Sequence, residues 1–291
     1  MKKVTFLGLG VMGYPMAGHL AAAGYEVSVY NRTFAKAESW VAQHNGQACR
    51  TPAEAVSEAD IICACVGEDK DIAEIALGDA GAFDAMKKGA LFIDHTTASA
   101  DIARQLYTEA SMRGLLFLDA PVSGGQAGAE NGKLTIMCGG DDTAFEAGKQ
   151  AMSSYGARVT HMGVAGSGQL TKMVNQICIA GLLQGLSEAM AFGKNADLDM
   201  DKVLGVISGG AAQSWQLENR GSTMVQDKFD FGFAVDWMRK DLRIVLEEGA
   251  RNRSELPVTA LVAQFYAALS HQGDGHMDTS SLIKLLKRNQ S

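Results

Sequence analysis

The sequence predicts an α/β protein whose first part is a doubly wound, mostly parallel sheet and whose last part is entirely helical. Three observations carry this. Short apolar runs alternate with helix-spaced patterns through the first half of the chain, as crossover-linked parallel strands require. The opening run, Lys3-Val4-Thr5-Phe6-Leu7, breaks into Gly8-x-Gly10-x-x-Gly13 and then into the helix-spaced residues Met16, Ala17 and Leu20. From about Val164 strand-like runs cease, and long stretches with apolar residues at three and four take over.

In order, strands are expected at Val4–Leu7, Glu26–Tyr30, Ile61–Val66, Leu91–Asp94, Leu115–Leu118, Lys133–Cys138 and Ala157–His161. Helical patterns such as Phe34–His44, Thr51–Glu58 and Ser99–Arg113 lie between most of them. A sheet built this way is covered on both faces, so ligands belong beyond its strand ends at Gly8, Asn31, Val66, Thr96 and Pro121. The helical part comprises Gln169–Lys194, Met200–Ser208, Phe233–Asn252, Pro257–Gln272 and Ser280–Lys287, with Leu242, Val245, Leu246 and Gly249 illustrating its period. No repeat or low-complexity linker separates the parts. The glycines Gly163, Gly166 and Gly168 mark the boundary, giving a dinucleotide-binding domain over 1–163 and a helical substrate and oligomerisation domain over 164–291.

Each glycine of the opening turn has a mechanical reason. Gly8 permits the sharp turn, Gly10 lets the backbone approach a pyrophosphate, and Gly13 lets the helix pack close on the strand. The unpaired N–H groups and positive dipole end of that helix suit a phosphate anion. An ordinary glycine turn is the plain alternative, but a preceding strand, a following helix and the second strand Glu26–Tyr30 all favour a dinucleotide site. At the second strand's end an NAD-selective fingerprint carries Asp or Glu, whereas this chain has Asn31-Arg32-Thr33. Without a carboxylate to repel a 2′-phosphate, and with Asn31 for the ribose and the Arg32 guanidinium for the phosphate, NADP is preferred and NAD remains possible.

Composition excludes several classes. With 291 residues, 47% hydrophobic and 20% charged, the chain can bury a large core, and a net charge of −7 leaves no basic surplus for nucleic acid. No apolar run approaches the ~20 residues of a membrane span, and Met1-Lys2-Lys3 leads directly into the first strand, which reads as a cytoplasmic protein. Cys49, Cys63, Cys65, Cys138 and Cys178 are scattered, and Cys63-x-Cys65 places two small apolar side chains on one strand face. The six histidines lack metal-ligand spacing, so no metal is expected.

Two further stretches make chemical sense on their own. Ser123-Gly124-Gly125, after a strand and Pro121, offers a hydroxyl and open backbone N–H groups suited to a small carboxylate, or else forms a flexible turn. Lys172 and Asn175 are three apart and share a helix face, and a lysine near a helix start should have its pKa pushed downward. A solvated lysine beside a helix amide is the alternative.

The stretches Gly8-Leu9-Gly10-Val11-Met12-Gly13-Tyr14-Pro15-Met16-Ala17, Asp119-Ala120-Pro121-Val122-Ser123-Gly124-Gly125-x-x-Gly128-Ala129 and Gly166-x-Gly168-x-x-x-Lys172-x-x-Asn175 resemble the β-hydroxyacid dehydrogenase family. That family includes 3-hydroxyisobutyrate dehydrogenases, tartronate semialdehyde reductases and glyoxylate/succinic semialdehyde reductases. The resemblance covers essentially the whole chain. It implies an N-terminal Rossmann domain, a helical C-terminal domain, a long joining helix and a homodimer or homotetramer. It also implies a catalytic pair, Lys172 and Asn175, and a substrate segment of Ser123, Gly124 and Gly125. Cofactor contacts are implied at Gly8, Leu9, Gly10, Val11, Met12, Gly13, Asn31, Arg32, Thr33, Val66 and Thr97, with Lys240 near both cofactor and substrate.

The chain departs from the family pattern at His95-Thr96, where Ser-Thr is commoner, and His95 reads as structural. Trp215 and Phe231 either wall the substrate pocket or pack the helical core. Two rivals share the fold, a non-catalytic dinucleotide-binding module and an imine reductase, and Lys172 counts against both. A 6-phosphogluconate dehydrogenase would need a much larger helical domain than this chain offers.

Overall fold

The computed structural model describes residues 2–286. Met1, and Lys287 at the end of the last expected helix, lie outside the described residues. The first elements are β1 (Lys3–Leu7), α1 (Gly13–Ala22), β2 (Glu26–Tyr30), α2 (Phe34–Gln43), β3 (Gln47–Cys49), α3 (Pro52–Val56), β4 (Ile61–Ala64) and α4 (Asp69–Leu77). They are followed by β5 (Leu91–Asp94), α5 (Ala100–Met112), β6 (Leu116–Asp119), β7 (Val122–Ser123), α6 (Gly125–Glu130), β8 (Leu134–Gly140), α7 (Asp142–Met152) and β9 (Gly156–Gly163). The remainder is helical: α8 (Ser167–Asn195), α9 (Met200–Ile207), α10 (Trp215–Val225), α11 (Val235–Asn252) and α12 (Pro257–Leu269). The chain forms two compact units, Met1–Lys172 and Met173–Ser291.

In the first unit the strands form one sheet in the order β3-β2-β1-β4-β5-β6-β8-β7, with β9 on β8. Pairing is parallel from β3 through β6 and again between β8 and β9, while β8 runs antiparallel to β6 and β7. The doubly wound, mostly parallel sheet expected from the alternating pattern is therefore the observed one. The chain moves outward from β1 to β3 and then returns to lay β4 on the other side of β1. That reversal opens a crevice at the C-terminal ends of β1 and β4.

The side-chain period of two sorts each strand between two cores. Val4 and Phe6 of β1, Ile61 and Cys63 of β4, and Leu91 and Ile93 of β5 face one cluster. Leu7, Ile62, Ala64 and Phe92 face the other. Both faces are thus apolar, which is why these strands read as unbroken hydrophobic runs. Cys65 packs partly against the same cluster as Cys63, and no disulfide forms.

Helix starts follow local chemistry. The Thr51 hydroxyl accepts from Glu54 N at 3.1 Å ahead of Pro52, and the Ser99 hydroxyl accepts from Ile102 N at 3.1 Å. Both expected helices therefore begin one residue later than their polar first residue, which is the N-cap. β3 and β7 are too short for a period to show, and α4, α6, α7 and α10 are rich in small or polar residues. In the second unit, Ala180, Leu183, Met238, Leu242, Val262 and Tyr266 form one core and Leu186, Met190, Met200, Leu217 and Met224 another. The segment expected to extend α12 to Gln272 instead turns at Leu269 into a π-helical stretch, Ser270–Asp274, in which Gly273 has φ +91°. Thr279–Leu286 is a 3-10 helix. No helix among the described residues is long and apolar enough to cross a membrane.

Several polar groups are buried at the strand ends. His95 is 1% exposed, with Nδ1 2.7 Å from Ala120 O and Nε2 2.8 Å from the Tyr155 hydroxyl. A carbonyl can only accept, so Nδ1 carries the proton and Nε2 accepts from Tyr155. Burial pushes the imidazole down to about 4, so the ring stays neutral. Both ring nitrogens are thus engaged within the fold, one by a backbone carbonyl and one by a phenol.

Asp94 is also fully buried. Its Oδ1 accepts from Thr96 N at 2.9 Å, whereas Oδ2 has no hydrogen-bond partner. Burial raises its pKa from an ordinary 3.8 to about 7, against the lowering effect of the Thr96 donors and with a smaller push from Asp119. The folded protein therefore holds a proton that the unfolded chain releases between those pH values. Asp94's contribution to stability is complete below the unfolded value and is lost as pH rises through about 7. Asp94→Asn removes that titration. The Tm of the variant minus that of the wild type should become more positive between roughly pH 4.5 and 7.5, measured by scanning calorimetry. A difference that does not vary with pH would contradict the buried, proton-holding carboxyl.

Candidate active site

The crevice at the ends of β1 and β4 is shaped by missing side chains. Gly8 has φ +97°, and a Cβ there would overlap the Cys65 carbonyl; a Cβ on Gly13 would overlap the Gly8 carbonyl and the Phe6 ring. A Cβ on Gly10 meets nothing within 4 Å. Two of these glycines thus let backbone meet backbone, and the middle one faces open space. Tyr14 N donates to Gly10 O at 3.0 Å, which begins the helical turn. The first turn of α1 carries no acidic residue and no side chain caps it, while Gly10 and Val11 are exposed. A helix N-terminus open in this way is suited to the pyrophosphate of a dinucleotide.

Asn31 serves this loop rather than standing clear of it. Its Oδ1 accepts from Leu9 N at 2.9 Å and its Nδ2 donates to Thr33 O at 3.1 Å, so the amide ties the glycine turn to the end of β2. Arg32 follows with its side chain 90% exposed and its Nη1 3.6 Å from Asp71 Oδ1. At such exposure this ion pair is weak, and the guanidinium remains available to an anion.

Beyond β4, Val66 N donates to the Thr96 hydroxyl at 3.1 Å. The loop after β5 is held in turn by Gln169: its Nε2 donates to Thr96 O at 2.8 Å and its Oε1 accepts from Ala98 N at 3.1 Å. The half-buried Thr97 lies between the two clamped residues. Asp119, the last residue of β6, is fully buried; its Oδ1 accepts from Gly166 N at 2.7 Å and its Oδ2 from Gln169 N at 2.9 Å. Burial raises its pKa to about 6, opposed by these backbone donors. Ser123 is half-buried on β7, opposite Thr135 of β8, and Gly124 and Gly125 turn away with φ +130° and +60°. Lys172 lies in the second turn of α8 and is 8% exposed. A lysine so withdrawn from water is not the solvated surface group of the plain alternative.

In the second unit a chain of side chains joins two expected site residues. Asn175 Nδ2 donates to Gln176 Oε1 at 2.7 Å, and Gln176 Nε2 donates to Asp241 Oδ2 at 2.7 Å. Lys240 Nζ lies 3.1 Å from Asp241 Oδ1, close enough for an ion pair but misaligned for a hydrogen bond. Lys240 Nζ also sits 5.7 Å from the centre of the Trp237 ring. The Arg220 guanidinium stacks on both Trp215 and Phe231, at 5.1 and 4.6 Å from the ring centres, and pairs with Asp278.

The structure therefore gathers Gly8–Gly13, Asn31, Val66 and Thr97 at the strand ends, and links Asn175 with Lys240 through Gln176 and Asp241. Sequence reasoning missed the tethering roles of Thr96, Asp119, Gln169 and Gln176. Asp119 and Gln169 lie inside motifs that were singled out for their neighbours, which was the available signal. Among the described residues no group of three or more His, Cys, Asp or Glu could hold a metal ion.

Comparison with known proteins agrees with this geometry. Residues 3–163 match the family model described as the NAD binding domain of 6-phosphogluconate dehydrogenase. Residues 166–286 match the one described as NAD-binding of NADP-dependent 3-hydroxyisobutyrate dehydrogenase. The chain is 55% identical to an oxidoreductase of Shewanella frigidimarina over the full length of both. It is 32% identical to the 2-hydroxy-3-oxopropionate reductase of Escherichia coli, covering 98% of this chain and 97% of that one. The solved structure of Mycobacterium tuberculosis 3-hydroxyisobutyrate dehydrogenase with L-serine superposes with a TM-score of 0.89 at 28% identity, over 99% of this chain and 100% of that one. With a glycine turn open to a pyrophosphate and family matches across both units, the chain belongs to the β-hydroxyacid dehydrogenase family of NAD(P)-dependent oxidoreductases.

Proposed function

We propose that this protein is an NADP(H)-dependent dehydrogenase of small carboxylate-bearing hydroxy acids, working as a reductase on aldehyde acids of the glyoxylate, succinic semialdehyde, tartronate semialdehyde or 3-hydroxyisobutyrate type. Lys172 carries the reading: it is 8% exposed and lies three residues beyond Gln169, which is tethered to the strand ends. Its ammonium donates the proton to the carbonyl oxygen as that oxygen becomes an alkoxide, and in the oxidising direction the neutral amine takes the hydroxyl proton. The nicotinamide gives or receives the hydride. Asn175 orients the substrate oxygen, and Lys240 adds a cation for the substrate anion, its own position set by Asp241.

Ser123 and the amides of Gly124 and Gly125 hold the substrate carboxylate. Support comes from their placement on a short edge strand and a turn with two positive φ angles, where Gly124 and Gly125 are exposed, a Cβ on Gly125 meets nothing within 4 Å, and no side chain caps the following helix. Leu9, Val11, Met12 and the first turn of α1 receive the pyrophosphate, while Thr33, Val66 and Thr97 line the adenosine and nicotinamide ends. Arg32 takes the 2′-phosphate, helped by the absence of any acidic residue in the first turns of α1 and α2. The protein works in the cytoplasm as a homodimer or homotetramer. Apolar side chains exposed on the second unit, such as Phe192 and Val258, support self-association.

Lys172→Ala should lower kcat for NADPH-dependent reduction of glyoxylate or succinic semialdehyde by roughly 10²–10⁴-fold, with NADPH affinity nearly unchanged by fluorescence titration. A retained kcat would remove lysine from the proton-transfer role. Arg32→Ala should weaken NADPH by roughly 10–100-fold, the worth of one charge-assisted bond, and leave NADH binding as it was. Equal losses for the two cofactors would count against a phosphate contact at Arg32.

A further inference from the structure

The start of α8 is held in a manner that ordinary capping does not require. A helix leaves its first N–H groups without intrahelical partners, and the usual remedy is a Ser, Thr, Asp or Asn at the N-cap itself. α8 instead takes its acceptor from a carboxylate 47 and 50 residues away in the chain: Asp119 Oδ1 accepts from Gly166 N at 2.7 Å and Oδ2 from Gln169 N at 2.9 Å. A local cap would satisfy the helix wherever the helix went. A cap from the end of β6 satisfies it in one place only.

The packing around this contact leaves no freedom to slide. A Cβ on Gly168 would overlap the Met137 and Asp119 carbonyls, and one on Gly139 would overlap Asp119 Oδ1 and crowd the amides of Ser167 and Gly168. The helix backbone is thus seated directly on β6 and β8. Gln169, fully buried, supplies a second tether by bonding Thr96 O at 2.8 Å and Ala98 N at 3.1 Å. One side chain holds the helix to the end of β6, and the other holds it to the loop that carries Thr97. Two tethers in different directions fix both the rotation and the height of the first turn.

Lys172 lies three residues beyond Gln169, less than one turn and about 4.5 Å along the axis. Over so short a span a helix transmits displacement almost rigidly. Burying a carboxylate is costly even when it is hydrogen-bonded, and a serine at the N-cap would serve stability at less cost. What the Asp119 carboxylate adds is placement.

We propose that Asp119 and Gln169 are positioning residues for the proton-transfer step, together holding the first turn of α8 so that Lys172 meets the substrate oxygen in register with the loop bearing Thr97. This rests on Lys172 being the proton donor. A misplacement of about 1 Å in a catalytic group costs on the order of 10²-fold in rate, so loss of either tether falls on the chemical step rather than on binding.

A double-mutant cycle tests it, using NADPH and succinic semialdehyde with the full-length chain. Asp119→Asn replaces one acceptor with an amide that faces a backbone N–H, and Gln169→Ala cuts the other tether. Each should lower kcat by roughly 10–100-fold with KM for both reactants within about threefold of wild type. In a Lys172→Ala background neither should lower kcat further, because the group they position is gone. A merely structural role would lower Tm and multiply its loss into the Lys172→Ala background. That multiplied loss, or a kcat within about twofold of wild type in both single variants, overturns the proposal. Should Asp119→Asn fail to fold, Gln169→Ala completes the same cycle. Lys172→Ala measured alone keeps the tethers intact, so a retained kcat there rejects the lysine assignment and the positioning role with it, whereas a low kcat there with wild-type rates in the other two rejects the positioning role only.

Discussion

The first unit depends on a single constraint: a parallel sheet covered on both faces has nowhere polar to go except its strand ends. Val4, Phe6, Ile61, Ile62, Leu91 and Phe92 are each at most 3% exposed, so both faces of the central strands are closed to any ligand. Polar chemistry is therefore confined to the strand ends and the loops that follow them. Within those loops, buried carboxylates and amides do the holding. Asp119 seats α8, Gln169 ties it to the β5 loop, Thr96 joins that loop to Val66, and Asn31 joins the β2 end to Leu9. Leu9, Asn31 and Val66 among the expected cofactor contacts are thereby hydrogen-bonded to a residue at the end of another strand.

The glycines and the charges complement this scheme. Gly8 and Gly13 allow backbone contacts that a single methyl would forbid, while Gly10 faces open space at an uncapped helix start. With a net charge of −7 the chain as a whole does not attract anions, so attraction has to come from local groups. In the function proposed here those groups are the α1 N-terminus, Arg32, Lys172 and Lys240; Lys172 and Lys240 are each largely withdrawn from water, where a charge acts more strongly.

Much of this could be read from the sequence because it repeats locally. Strand and helix periods, the glycine spacing and the change of pattern near Val164 are properties of neighbouring residues. Less is legible where a residue's partners lie far along the chain. Asn31 reads in the sequence as a ribose ligand, and its bonds to Leu9 N and Thr33 O, which no local pattern shows, set the orientation of that amide. Nothing near Asp119 or Gln169 in the sequence shows that they bond groups 47 to 73 residues away. Short elements such as β3 and β7 are illegible for another reason, since two or three residues cannot display a period, and the six residues of α6 carry no apolar side chain larger than alanine.

The central claim is that the protein transfers hydride to small aldehydes that bear a carboxylate, recognised by the Ser123-Gly124-Gly125 turn and by lysine. Its most direct test is kcat/KM with NADPH for succinic semialdehyde against butanal, which has the same chain length and no anion. If donors there are left with only water, the acid should be preferred by roughly 10–100-fold or more, the worth of one or two charge-assisted hydrogen bonds. Comparable values for the two aldehydes would contradict the account.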